Sequence, residues 1–136
     1  MSADAKRFTY AVSLDRDWAA RSDRGGSAIA EEEPWTPEHL VLAALARCTL
    51  TSLRYHARRQ GVSVGGSADA SGEVTQRDKD GRYAFVRFKV ALDVTLEPTP
   101  AAVRELVSKA ERDCFVGNSL TTRPRYRWTV NGHELA

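Results

Sequence analysis

Cys48 and Cys114 are the only two cysteines in this 136-residue chain, and each lies inside a helical pattern. Cys48 falls mid-helix in TPEHLVLAALARCTLTSL, where a thiol can be half buried and its acidity tuned. Cys114 falls near a helix end in AERDCFVGNSL, just before a Gly-Asn-Ser break. Their separation excludes a C-x-x-C redox motif and a zinc knuckle. What remains is a distant pair that meets in space, or two unrelated core cysteines. Taken alone, a mid-helix cysteine is more often inert packing than a nucleophile. A nucleophilic one needs a lowered pKa, partial exposure and a cationic neighbour. Arg47 precedes Cys48, but successive helical residues point about 100° apart. It reads as a solvated neighbour and not as the activator.

Glu38 lies ten residues before Cys48 on the same helix, roughly 15 Å away along the axis. It cannot touch that thiol directly. Its plain role is to complement the positive helix end. A catalytic role would need a second, antiparallel copy of the helix, or a long Arg bridging the two. His39, His56 and His133 show no metal-ligand spacing. No G-x-S-x-G, Walker A or G-x-G-x-x-G motif is present. Arg54, Arg58 and Arg59, and the alternating Arg123, Arg125 and Arg127, read as solvated arginines among scattered Asp and Glu.

The elements that must position these residues follow from periodicity and punctuation. Residues 7–14, RFTYAVSL, alternate and predict a strand. Asp15 to Asp17 form a turn, 18–24 a second short strand or a loop, and Gly25-Gly26 a break. SAIAEEE reads as a weak strand and an acidic loop. Thr36 as N-cap, Pro37 at the first helical position and Glu38 then start a helix that runs to about Arg59 and stops at Gly61. Leu40, Ala43, Ala44, Cys48, Thr51 and Tyr55 make one stripe on it. The LVLAALA half is apolar nearly all round, as in a central helix. Residues 62–77 and 82–97 flank the turn signal DKDG and predict a long hairpin. Pro98 ends it. Thr99 and Pro100 cap and start a second helix reaching about Cys114, VGNSL adds a turn or short helix, and RYRWTV forms a last strand with Tyr126, Trp128 and Val130 inward. The order is α+β.

The whole chain is consistent with one domain, 1–136. It has 42% hydrophobic and 28% charged residues and a net charge of +2, too small to imply a nucleic-acid partner. MSADAKRF lacks the apolar region of a signal peptide. No apolar run approaches the roughly 18 residues of a membrane span. The expected location is the cytoplasm, where thiols stay reduced unless chemistry oxidises them.

The run WTPEHLVLAALARC resembles the signature of the OsmC/Ohr family, the osmotically inducible and organic hydroperoxide resistance proteins. A Pro-Glu helix start leads into a small-and-apolar helix, with the reactive Cys ten residues after the Glu. AERDCFVGNSL resembles the family's second cysteine site. The resemblance implies an intertwined α+β homodimer, with long central helices wrapped by antiparallel sheets and active sites at the subunit interface. It implies a thiol peroxidase for organic hydroperoxides, with Cys48 as the peroxidatic thiolate and Cys114 as the resolving thiol that forms a disulfide with it. Glu38 would orient a catalytic arginine, for which Arg16 is the nearest match and Arg21 and Arg24 are rivals. A dithiol of the dihydrolipoyl type would be the reductant, and no metal, flavin or haem would be required. Arg47, Phe115 and the acidic 31–33 loop depart from the family pattern, which bears on substrate and rate. The rival reading is a non-enzymatic dimeric binding or stress protein whose cysteines are only core.

Overall fold

The computed structural model describes residues 5–32 and 34–136. The chain forms two compact units, Met1–Pro37 and Glu38–Ala136. In the first, β1 (Val12–Leu14) pairs antiparallel with β2 (Ala20–Ser22). The strand expected over 7–14 is thus shorter, because β2 offers only three residues to pair with. Within the expected 18–24 segment β2 is a real strand, and Ile29 adds one isolated bridge to Ala20. Glu33 of the expected acidic loop lies outside the described residues, as does the start of MSADAKRF.

The second unit contains the site and is built as expected around one long helix, α1 (Pro37–Arg58). Gly61 ends it with φ of 72°, a backbone region that favours glycine. The Val62 N–H reaches the Ala57 carbonyl at 2.9 Å and the Gly61 N–H reaches Arg58 at 3.1 Å. These two bonds close a Schellman cap, with Val62 and Ala57 both buried beneath it.

The covered face of α1 is not the expected stripe. Leu45, Thr49, Ser52, Leu53 and Ala57 are buried, whereas Leu40 and Tyr55 are 38% and 56% exposed. Apolarity could not choose the face, because the first half of the helix is apolar all round. Two polar residues could enter the core because their hydroxyls are satisfied. Thr49 donates to the Leu45 carbonyl at 2.9 Å and Ser52 to the Ala110 carbonyl at 2.8 Å.

The hairpin appears as β3 (Ser63–Gln76) and β4 (Tyr83–Glu97), in antiparallel register from Ser63↔Glu97 to Gln76↔Tyr83. The register shifts between Glu73 and Val74, so Val86 is the extra residue of a bulge. Phe88, Val90, Leu92, Val94 and Leu96 of β4 bury one face, while Arg87, Lys89, Asp93 and Thr95 stay exposed on the other. This period-2 pattern is what made the strand legible. Gly66 is required where it stands: with φ of 126°, a Cβ there would lie 2.2 Å from the Asp93 carbonyl oxygen.

The second long helix, α2 (Val103–Arg112), starts three residues after the expected Pro100, with Ala102 as its N-cap. Thr99 does not cap it, because the Thr99 hydroxyl accepts from the Asn131 side-chain amide at 2.8 Å. A short α3 (Phe115–Ser119) follows, then β5 (Arg125–Val130) and β6 (His133–Glu134). The sheet order is β3-β4-β5-β6. The β4–β5 ladder is parallel, unlike the antiparallel sheets expected, because α2 and α3 carry the chain back across before β5. Trp128 and Val130 are buried as expected and Tyr126 is half-buried. Leu45 and Leu53 of α1, Leu106 and Ala110 of α2, the inner face of β4, and Trp128 share one hydrophobic core.

Candidate functional site

The fold brings the two cysteines together. Cys48 sits midway along α1 and is half-buried, whereas Cys114 is fully buried. Cys114 is the N-cap of α3 and accepts the Gly117 N–H on its sulfur at 3.4 Å. The Val116 N–H, one residue back, reaches the Cys48 sulfur at 3.5 Å. A single short segment, 114–117, therefore supplies one thiol and the backbone donors for both.

Burial pushes the Cys48 thiol pKa up, and the neighbouring Cys114 adds to the rise. The Val116 and Phe115 N–H groups act the other way, by favouring the thiolate.

Polar contacts fix the segment that carries Cys114. His56 Nε2 lies 2.7 Å from the Asp113 carboxylate, and the Arg112 guanidinium forks onto the same group at 3.0 and 2.8 Å. Arg112 and then His56 pull the Asp113 carboxyl pKa down to about 2. The Asn118 side chain donates to the Arg112 carbonyl at 2.8 Å.

Glu38 occupies the first turn of α1 and is exposed. It is ten residues from Cys48, roughly 15 Å along the helix. The three candidate arginines all belong to the first unit. Arg16 is exposed in the turn between β1 and β2, Arg21 pairs with Asp15 at 3.5 Å, and the Arg24 guanidinium sits 4.9 Å from the Tyr10 ring centre. Among the described residues no group of three or more His, Cys, Asp or Glu side chains could hold a metal ion.

Sequence reasoning missed what surrounds Cys114. The Thr49 hydroxyl lies 3.5 Å from the Cys114 sulfur, and the Tyr126 hydroxyl and that sulfur both border the same face of Gly117. Thr49 could have been suspected from its place next to Cys48, and Tyr126 from its inward position on the last strand. The His56–Asp113 pair gave no signal, since it joins residues 57 apart in sequence.

Comparison with known proteins places this site in context. The family described as OsmC-like protein matches residues 30–129. No curated protein matches the chain. Among solved structures, the OsmC-like protein of Mycoplasma pneumoniae superposes with a TM-score of 0.68 at 16% identity, covering 92% of this chain and 97% of its own. The organic hydroperoxide resistance protein OhrB of Bacillus subtilis gives 0.60 at 20% identity, covering 91% and 98%. An OsmC-like protein of unknown function from Vibrio cholerae gives 0.66 at 17% identity, covering 92% and 100%. These likenesses are likenesses of fold, and two cysteines meeting between a long helix and a short one lie inside the matched region. This chain belongs to the OsmC-like family.

Proposed function

We propose that this protein is a thiol peroxidase that reduces organic hydroperoxides. The observation that carries the reading is the pair of thiols: the chain's two cysteines, remote in sequence, accept from successive N–H groups at the start of α3, one half-exposed and one fully buried. The half-exposed Cys48 is the one a peroxide can reach. Its thiolate attacks the outer peroxide oxygen, the O–O bond breaks, and an alcohol leaves with a proton. Cys48 becomes a sulfenic acid. Cys114 then forms the S–S bond and water departs. A dithiol of the dihydrolipoyl type reduces that disulfide by exchange. The cycle asks nothing of a metal, flavin or haem.

A cation beside Cys48 would offset the rise that burial gives its pKa. Arg16, with Arg21 and Arg24 as rivals, would supply it, and Glu38 would orient it. Glu38 is too far from its own Cys48 to touch it, and a homodimer in which the helices of two copies run antiparallel would bring Glu38 of one copy toward Cys48 of the other. Two features support a second copy. Phe8, Tyr10, Val12 and Leu14 alternate along the first unit yet are all exposed, and Leu40 and Tyr55 are exposed on α1. Free thiols fit a reducing cytoplasm. Among the described residues no helix is long and apolar enough to cross a membrane.

The same raised pKa favours one other reading, a dimeric binding protein with inert cysteines. A peroxide-consumption assay with a dithiol donor separates the two. Turnover of alkyl hydroperoxide faster than hydrogen peroxide, lost in Cys48→Ser, is expected. No turnover, together with no sulfenic acid on Cys48 by mass spectrometry, would favour the binding protein.

A further inference from the structure

The Cys114 sulfur sits in a socket whose proton inventory is short. The Gly117 N–H already donates to it at 3.4 Å. The Thr49 hydroxyl lies 3.5 Å away, but its proton is committed to the Leu45 carbonyl at 2.9 Å. Thr49 therefore offers the site only lone pairs. The remaining hydroxyl is that of Tyr126. It packs so tightly against the segment that a Cβ on Gly117 would lie 2.6 Å from the phenol oxygen and 3.3 Å from the Cys114 sulfur. Tyr126 and Gly117 also line a polar cleft of about 530 Å³, together with Glu111, Arg112 and Arg123.

We infer that Tyr126 activates the resolving thiol, by donating its O–H to the Cys114 sulfur as negative charge develops there. The inference rests on the proposed peroxidase reading for its place in the cycle. In that step the Cys114 S–H proton leaves with hydroxide from the Cys48 sulfenic acid. The S–O bond breaks, the S–S bond forms, and one water is released. Ionising a fully buried thiol is costly unless donors face it. Gly117 and Tyr126 are those donors, and a hydrogen bond to a charged group is the stronger kind. Burial, followed by the neighbouring Cys114, raises the Tyr126 pKa, so the phenol keeps its proton to donate. The other titratable or charged groups facing this pair are Cys48 on α1, Glu111 on α2, and Arg112 and Arg123 at the cleft. The Glu111 carboxylate is itself held by the Trp128 indole N–H at 2.8 Å.

The test does not need peroxide. An aromatic disulfide reagent, whose leaving thiol absorbs visible light, first reacts at the half-exposed Cys48. Cys114 then attacks the mixed disulfide and expels a second aromatic thiol. The second phase in Tyr126→Phe should be roughly tenfold slower near neutral pH, and its rise with pH should begin later. The first phase should be unchanged. A ring-fluorinated tyrosine at 126, a stronger donor of nearly the same shape, should move the pH profile the opposite way. An unchanged second phase, or both phases slowed alike, would overturn the assignment. If wild-type protein closes its disulfide in this assay but forms no sulfenic acid with peroxide, the peroxidase reading falls and the role of Tyr126 stands.

Discussion

Glu38 and Cys48 make the shared active site testable by mixing. Both lie on α1, ten residues apart at a rise of about 1.5 Å each, so roughly 15 Å separates them. No glutamate side chain spans that gap. If Glu38 serves a cysteine without an arginine of its own chain bridging the gap, it is the cysteine of a second copy, and two-fold symmetry creates the contact twice. Cys48→Ser subunits and Glu38→Gln subunits should each be nearly inactive as homodimers. Mixed one to one and allowed to exchange, half of the dimers are mixed, and each mixed dimer holds one intact site out of two. Recovered peroxidase activity should therefore approach about a quarter of the wild-type value. It should also fall on dilution below the dimer dissociation constant. The assay is peroxide consumption with a dithiol donor, before and after exchange. If mixing restores nothing while exchange is demonstrated by mass spectrometry, Glu38 does not act across the interface and the shared-site geometry is refuted.

Three further outcomes are expected. Cys114→Ser should let the Cys48 sulfenic acid accumulate and over-oxidise, and Cys48→Ser should take up no oxygen; mass spectrometry after one equivalent of peroxide reads both. Gly66→Ala places a Cβ 2.2 Å from the Asp93 carbonyl at a φ of 126°. It should destabilise the sheet by about 3 kcal/mol or more in denaturant unfolding, and a loss under 1 kcal/mol would contradict the register described. For Asp113, the folded pKa of about 2 lies below the ordinary 3.8. Its stabilising contribution is thus complete above 3.8 and lost as pH falls through 2. Full translation of that gap is about 2.4 kcal/mol. The side chain is 38% exposed, so screening reduces the expectation to about 1 kcal/mol. Asp113→Asn should flatten the acid limb of the stability curve by that amount.

The elements with strong local punctuation were legible from sequence, and those decided by a distant partner were not. Pro37 and Gly61 bracket α1 because their backbone preferences need no tertiary help, and the alternation of 83–97 gave β4 directly. Thr99 misled because Asn131, 32 residues on, takes its hydroxyl. The stripe on α1 misled because Thr49 and Ser52 look polar in a pattern, yet are buried once Leu45 and Ala110 accept their protons. β1 fell short of 7–14 because strand length belongs to the pair and not to the segment. At the site, residue type and spacing singled out the two cysteines but left open whether they meet, and only the family resemblance implied their pairing. Tyr126 and Thr49 entered only through geometry, since neither lies near Cys114 in sequence.

Ser52 to Ala110 and His56 to Asp113 tie α1 to the chain around α2 at two points about one helical turn apart. A helix pair joined by greasy contact alone can creep along its ridges at little cost. Here a slip of even one residue would strand the Ser52 hydroxyl and break the His56–Asp113 hydrogen bond together. The two thiols lie just beyond these pins, so their alignment is indexed mechanically by the helices. Loops elsewhere in the molecule can change length or sequence, and the gauge between the sulfurs will not drift with them.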